Sequence, residues 1–366
     1  MLNLLTPETD LINGLQSHTR NRPLVLRSQL NQDDRWLAAS SMQKAIRRGH
    51  IREATYAANV LKAFNTAHLW NRLRVIALED IGIANINLVA QVLWVAGKEQ
   101  WRIKHGGEDL ILSYIIHHLC QSKKSRTLDD ALYVAEYHPL YKQQRLTYSG
   151  MSEEELMDGF HDKGLDVIEH ILICRYICGR RYRSEVLTLP KGNPVKIMEL
   201  AHSVNAPLYV LDLLGLSKSQ EYFTCLLPCL MQLEQSNSLA RIEDTSDEEP
   251  QRINRYLEAS LDRHTRHGKQ AFRQFLEVHP EILEYIRKHT DKANPVNLVG
   301  WAVFILEGQS LNNRIVYDGS ECLRELAAQA WLHSGGMAID AQPEFLALVQ
   351  DHWKGLRHAR RSVTRR

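Results

Sequence analysis

Apolar side chains return at three- and four-residue intervals through most of the chain, and stretches that alternate strictly between apolar and polar are rare. A period of about 3.6 residues marks a helix with one buried stripe, whereas alternation marks a half-buried strand. The pattern predicts an all-α protein, a helical bundle or array. Its clearest runs are Ser41 to Arg48, Arg52 to Phe64, His68 to Ile81, Leu88 to Lys98, Asp109 to Gln121 and Leu128 to Glu136. Gly49 and Gly82 fall where helices should end, since glycine tolerates the left-handed C′ conformation. Thr127 precedes Leu128, Asp129 and Asp130, the order expected of a capping hydroxyl followed by acids in the positive first turn.

Tyr137-His138-Pro139 interrupts this pattern, because proline lacks a donor and disfavours helix in the residue before it. A first helical domain is therefore expected over residues 40–138, after an N-terminal extension over 1–39, with a helical middle region over 139–236. The middle region holds helical runs from Gly164 to Cys178 and from Ser219 to Leu233, and a strand-like stretch from Glu185 to Pro190. Residues 237–250 are polar, acidic and closed by proline, as in an exposed linker or loop. Helical patterning resumes over 251–356, in runs at Arg252 to Arg263, Gln270 to Lys288, Val296 to Glu307, Ser320 to His333 and Pro343 to Leu356. Residues 357–366 form a basic tail. No repeat of constant period is present, so a solenoid is not expected.

The chain has 366 residues, enough for two or three units of about 150 residues, and a formal charge of +2. That balance excludes the global cationic field of a histone-like DNA binder, so any nucleic-acid contact must be local. The N-terminal residues have no positive region ahead of an apolar run, and no stretch approaches the roughly 18 apolar residues of a membrane span. The expectation is a cytoplasmic protein with no membrane contact. Its six cysteines then read as reduced, buried thiols.

Two stretches resemble a known family. They are Ser40-Ser-Met-Gln-Lys-Ala-Ile-Arg-Arg-Gly-His50 and Arg72-Leu-Arg-Val-Ile-Ala-Leu-Glu-Asp-Ile-Gly-Ile-Ala84. They look like the C-terminal collar domain of the replication-associated recombination ATPases (MgsA/RarA, eukaryotic WRNIP), relatives of clamp loaders. There a serine-led helix ending Lys-Ser-Ile/Val-Arg-Gly-Ser-Asp precedes an alanine-rich helix and a basic helix ending Ser-Glu-Asp-Ile-Gly-Leu-Ala. Lys44, Arg47, Gly49, Arg72, Glu79, Asp80, Ile81, Gly82 and Ala84 stand at the matching positions. A weaker likeness continues from Gly107 to Ser125, so that the resemblance spans roughly Ser40 to Tyr137, about a third of the chain. It implies a helical oligomerisation domain in a replication or recombination context. The chain departs from the family in lacking a Gly-x-x-x-x-Gly-Lys-Ser/Thr loop and an apolar strand ending in Asp-Glu, so no ATP hydrolysis is expected.

Candidate chemistry is local. Lys44, Arg47 and Arg48 close one helix while Arg72 and Arg74 lie on another, so together they could offer a phosphate patch. The competing reading is cations that complement helix dipoles. Glu79 and Asp80 are adjacent and diverge on a helix, which suits buried pairing, for example with Arg47 or Arg72, better than acid–base work. Glu79, Asp80 and Gly82 are accordingly read as a structural motif. Cys174, Cys178, Cys225 and Cys229 could meet around zinc but lack the tight Cys-x-x-Cys knuckle, and His117 and His118 face apart; no metal ligand is assigned.

The string Asp262-Arg-His-Thr-Arg-His-Gly-Lys269 concentrates titratable groups ahead of a helix, where amides favour anions. His264, Arg266, His267 and Lys269 form an unassigned candidate site there, and Arg266, Lys269, Arg360 and Arg361 extend the candidate nucleic-acid contacts.

These observations lead to a non-enzymatic replication or recombination accessory protein without cofactor. It would form a homo-oligomer or bind a replication protein, and could contact DNA. The alternatives are a nucleic-acid-processing enzyme or ligand-binding protein centred on His264 to Lys269, and a phage or mobile-element protein that mimics the collar to modulate a host complex.

Overall fold

The computed structural model describes residues 6–18, 34–179, 193, 195–204, 220–236, 240–245, 249–291 and 293–364. The strand candidate from Glu185 to Pro190 lies outside them. Helices dominate, as the periodicity predicts. The first part holds α1 (Pro7–His18), α2 (Arg35–Arg47), α3 (Ile51–Phe64), α4 (Thr66–Ile76), α5 (Ile86–Ala96), α6 (Glu99–Lys104), α7 (Glu108–Gln121) and α8 (Thr127–Tyr137). The middle holds α9 (Lys142–Ser149), α10 (Glu153–Gly159), α11 (Val167–Ile177), α12 (Val195–Ser203) and α13 (Gln220–Gln235). The last part holds α14 (Arg266–Val278), α15 (Pro280–His289), α16 (Pro295–Val303), α17 (Ser320–Ser334), α18 (Gln342–Asp351) and α19 (Trp353–Val363). Among the described residues no helix is long and apolar enough to cross a membrane.

Helix ends follow local chemistry. Asp34 and Asn65 cap α2 and α4 through side chains that accept from Trp36 N and His68 N. Gly49 takes φ +75° after α2, and His50 N donates to Ala45 O at 2.9 Å, closing the last turn in the manner expected of a C′ glycine. The run to Ile81 widens into a π-turn over Ala77–Ile81 and stops at Gly82, whose φ is +48°. A Cβ at Gly82 would stand 3.0 Å from the Ser125 carbonyl oxygen, so the glycine serves both the turn and a close approach. Thr127 is not the cap expected: Arg126 occupies the N-cap position, and the Thr127 hydroxyl turns inward to Ser125 and Tyr317.

Other expectations give way to short-range detail. The segment from Arg252 is not helical. β2 (Arg252–Ile253) pairs antiparallel with β3 (Tyr256–Leu257), and Asn254 at φ +57° makes the reversal that no helix accommodates. Part of the acidic segment, β1 (Arg241–Glu243), pairs antiparallel with β4 (Arg314–Val316). The run from Gln270 breaks at His279-Pro280 and the run from Pro343 breaks at His352. Much of the basic tail is α19, in which Leu356, Ala359, Arg360 and Val363 are buried along one stripe.

One apolar core runs from Leu11 to Trp331 and draws on the first helices, on the middle region and on α17. A second core, from Ile253 to Val363, lies within the C-terminal helices, and Trp301 and Ile305 pack against both. Backbone bonds also join the parts: Asn312 N donates to Arg47 O at 2.9 Å, and Ile315 N to Lys124 O at 3.0 Å. The C-terminal helices are thereby seated on the residues of the collar-like stretch.

Candidate functional site

A cavity of about 280 Å³ opens where α2, the π-turn, α8, the Asp262–His264 turn and α16 meet. It joins the two segments that the sequence marks out separately, the collar-like motif and the His264 string.

Its foundation is Asp80, which has no solvent exposure. The π-turn brings its carboxylate between α2 and the start of α8, where it accepts from Arg47 Nε at 2.7 Å, Arg126 Nη1 at 2.6 Å and Gln43 Nε2 at 2.8 Å. Burial alone would raise its pKa, but Arg47 and Arg126 hold the carboxyl below its usual range. Glu79 accepts from Gln43 at 2.7 Å and from the Tyr222 hydroxyl at 3.0 Å. Glu79 and Asp80 therefore tie helices together, and Arg47 is the partner the sequence suggests; Arg126 carries no comparable signal. Asp129 accepts from Arg126, yet burial pushes its pKa up to about 6.

The opposite wall is the Asp262–His264 turn. The Asp262 side chain accepts from His264 N at 2.9 Å, an Asx-turn, and Thr265 caps α14 by accepting from Gly268 N at 3.0 Å. Gly268 is required by space: a Cβ there would lie 2.0 Å from the Asp262 carbonyl oxygen. Lys44 Nζ and Ser40 Oγ, one helical turn apart on α2, both donate to Asp262 Oδ2. Burial works against ionisation of Asp262, but Lys44 and His264 keep the carboxyl well below its ordinary range. The Lys44 ammonium is in turn depressed by its burial. Glu307, also on the cavity wall, accepts two bonds from Arg360, at 3.1 and 2.8 Å.

With these acids engaged, two cations on the cavity wall have no carboxylate partner among the described residues. Arg72 donates to Gln43 Oε1 and has no carboxylate partner, and its Nε is buried without a hydrogen bond. Arg263 lies over Trp301, 3.6 Å from the ring centroid, and its Nη1 is likewise buried and unpaired. Gly300 makes room for that side chain, since a Cβ would come within 2.7 Å of the Arg263 Cβ. Trp331, fully buried, lines the cavity with an indole N–H that has no acceptor. Trp301 and Trp331 stack at 6.0 Å, Tyr133 meets both edge-on, and Phe304 lies beneath the guanidiniums of Arg47 and Arg126. The cavity thus sets two guanidiniums that touch no carboxylate directly against aromatic walls.

The other sequence candidates disperse. Arg48 donates to backbone oxygens of Lys44 and Glu307, and Arg74 points to Asn71 away from the cavity. Arg266 and Lys269 are exposed on α14, and His267 is half-buried; only His264 of that set reaches the cavity mouth. It keeps an exposed edge there, and the desolvation of its inner side pushes its pKa down to about 4. Arg360 is a correction to the tail: it has no exposure and is the bidentate partner of Glu307, whereas Arg361 remains more than half exposed. Its position on a Leu356, Ala359, Val363 stripe is the signal that could have revealed this. Cys174, Cys178, Cys225 and Cys229 are buried in the core between α11 and α13, where burial pushes the Cys174 and Cys229 thiols far up. Among the described residues one group brings three metal-ligating atoms within 4.8 Å of one another, His279, Glu281 and His352, none of them foreseen as ligands. Arg263, Trp301 and Trp331 were also missed, because no spacing links residues so far apart.

No protein-family model, curated protein or solved structure matches the chain.

Proposed function

We propose that the chain is a non-enzymatic accessory protein of DNA replication or recombination, and that its cavity receives the phosphate and base of one nucleotide at a DNA end. The observation that carries this reading is the pair Arg72 and Arg263, two guanidiniums on the cavity wall with no carboxylate partner and one buried, unpaired nitrogen each. Both side chains are only partly buried, but a buried N–H left without an acceptor is costly, and a phosphate supplies acceptors and charge together. The walls supply the rest: a base stacked on an aromatic face gains about 1–3 kcal/mol whatever its identity. At about 280 Å³ the cavity lies near the lower end of ligand sites and suits a nucleotide rather than a duplex. The replication context rests on the likeness of residues 40–137 to a collar domain, which also makes a homo-oligomer or a replication protein the expected partner.

An enzymatic reading centred on His264 is weaker on one specific ground. A histidine whose pKa is about 4 is neutral at pH 7 but a poor base there, and Arg266, His267 and Lys269 do not join it at the cavity.

The test is fluorescence anisotropy of a single-stranded oligonucleotide with and without a 5′-phosphate. Binding that strengthens with the phosphate and weakens at least about tenfold in Arg72→Gln with Arg263→Gln, with the circular dichroism spectrum intact, is the expected result. Equal affinity of wild type and variant, or no binding by either, would overturn it.

A further inference from the structure

We infer that His279, Glu281 and His352 form a binding site for one divalent transition-metal ion of the zinc class. The site is separate from the cavity, which none of the three lines, and it is assembled where two helix breaks face each other. Pro280 begins α15 and has no amide hydrogen, which leaves His279 outside the helix and puts Glu281 in its first turn. His352 stands at the junction of α18 and α19.

The donor geometry is that of a ligand set. His279 Nδ1 lies 3.2 Å and His352 Nε2 2.8 Å from the same carboxylate oxygen, Glu281 Oε1. The other nitrogen of His352, Nδ1, is 2.9 Å from the Leu348 carbonyl oxygen. A carbonyl can only accept, so Nδ1 is the donor there, and Nε2, which faces Glu281, is the nitrogen left to bind an ion. That is the orienting hydrogen bond that metal-bound histidines characteristically make. The His279 ring is held from the far side. Its Nε2 is buried without a partner, and a Cβ at Gly355 would stand 2.2 Å from it. Phe275 packs against the ring at a centroid distance of 5.0 Å.

Two imidazoles and one carboxylate select a borderline ion such as Zn²⁺ or Co²⁺ over Mg²⁺ or Ca²⁺, which prefer oxygen. Metal–nitrogen bonds of about 2.0–2.1 Å require only small shifts of ligand atoms already this close. The side chains are 19%, 44% and 28% exposed, so a fourth position is open to water or to a donor from another molecule. Bound there, the ion would cross-link the α14–α15 break to the α18–α19 break and brace the C-terminal helices.

The experiment uses the untagged full chain, stripped with chelator and titrated with Co²⁺ and with Zn²⁺. The expected result is one ion per chain after gel filtration, a Co²⁺ spectrum of nitrogen and oxygen ligation, and a higher melting temperature with Zn²⁺. His279→Ala with His352→Ala should weaken binding roughly 100-fold or more, and Gly355→Ala, which displaces the His279 ring, about 10–100-fold. Glu281→Gln, at the most exposed ligand, keeps the test valid if the histidine variants fail to fold, and it should also lose the ion. The inference is overturned if wild type retains no ion, if the folded variants retain it, or if a thiolate-to-cobalt band shows that the ion sits on cysteine.

Discussion

Arg47 and Arg126, and beside them Arg72 and Arg263, bring the same chemical group to one cavity and meet different partners. The first two converge on the Asp80 carboxylate, at 2.7 and 2.6 Å. The second two meet an amide, a tryptophan face and open space. A guanidinium fixed against a buried carboxylate belongs to the fold, because removing either partner strands a charge. A guanidinium held at a cavity by stacking and one hydrogen bond retains donors for something else. Formal charge along the sequence does not separate these cases; the placement of acids does.

Breaking the paired side should have the largest effect. Asp80→Ala leaves Arg47 and Arg126 facing each other, and chemical denaturation should show a loss of roughly 3–5 kcal/mol; a loss below about 1 kcal/mol would mean the pairing contributes little. The same contrast recurs within α19. Arg360→Ala should cost about 3 kcal/mol by stranding Glu307, while Arg361→Ala, at a half-exposed side chain, should stay within about 0.5 kcal/mol. Equal effects would restore the reading of this segment as a solvated basic tail.

Asp130 sharpens the comparison through pH. It is buried, its Oδ1 has no partner, and burial pushes its pKa up to about 7 from 3.8. Between those values the folded state binds the extra proton, so acidification from pH 8 toward pH 5 stabilises the protein through this group. Asp130→Asn should therefore raise stability at pH 8 by roughly 1–3 kcal/mol and change little at pH 5. His264, with its pKa pushed down to about 4 from 6.5, acts in the opposite sense, losing stability as pH falls through that window. The difference between wild type and Asp130→Asn isolates the aspartate. A small stability effect is also expected at the unpaired guanidiniums: Arg263→Gln removes a stacked cation without stranding an acid and should shift stability by less than about 1 kcal/mol.

The helices were legible because each carries its own stripe, and their ends because Gly49 and Gly82 need positive φ. The buried role of Asp80 was legible because an acid on an apolar turn must find partners. What was not legible depends on contacts made across the chain. The Arg252–Leu257 hairpin turns on one asparagine at positive φ, too short a feature to overcome a helical pattern. The α19 arginines hid an apolar stripe behind their charge. The cavity combines Arg72 with Arg263 and Trp301, which only the docking of the C-terminal helices brings together.

The most direct measurement is calorimetric titration of a deoxynucleoside 5′-monophosphate into wild type and into Arg72→Gln with Arg263→Gln, with each protein's stability measured in parallel. The account predicts one site per chain in wild type, at least about tenfold weaker binding in the variant, and nearly unchanged stability. A variant that binds as well as wild type, or one that unfolds as Asp80→Ala is expected to, would contradict it by showing these arginines to be part of the frame rather than of a site.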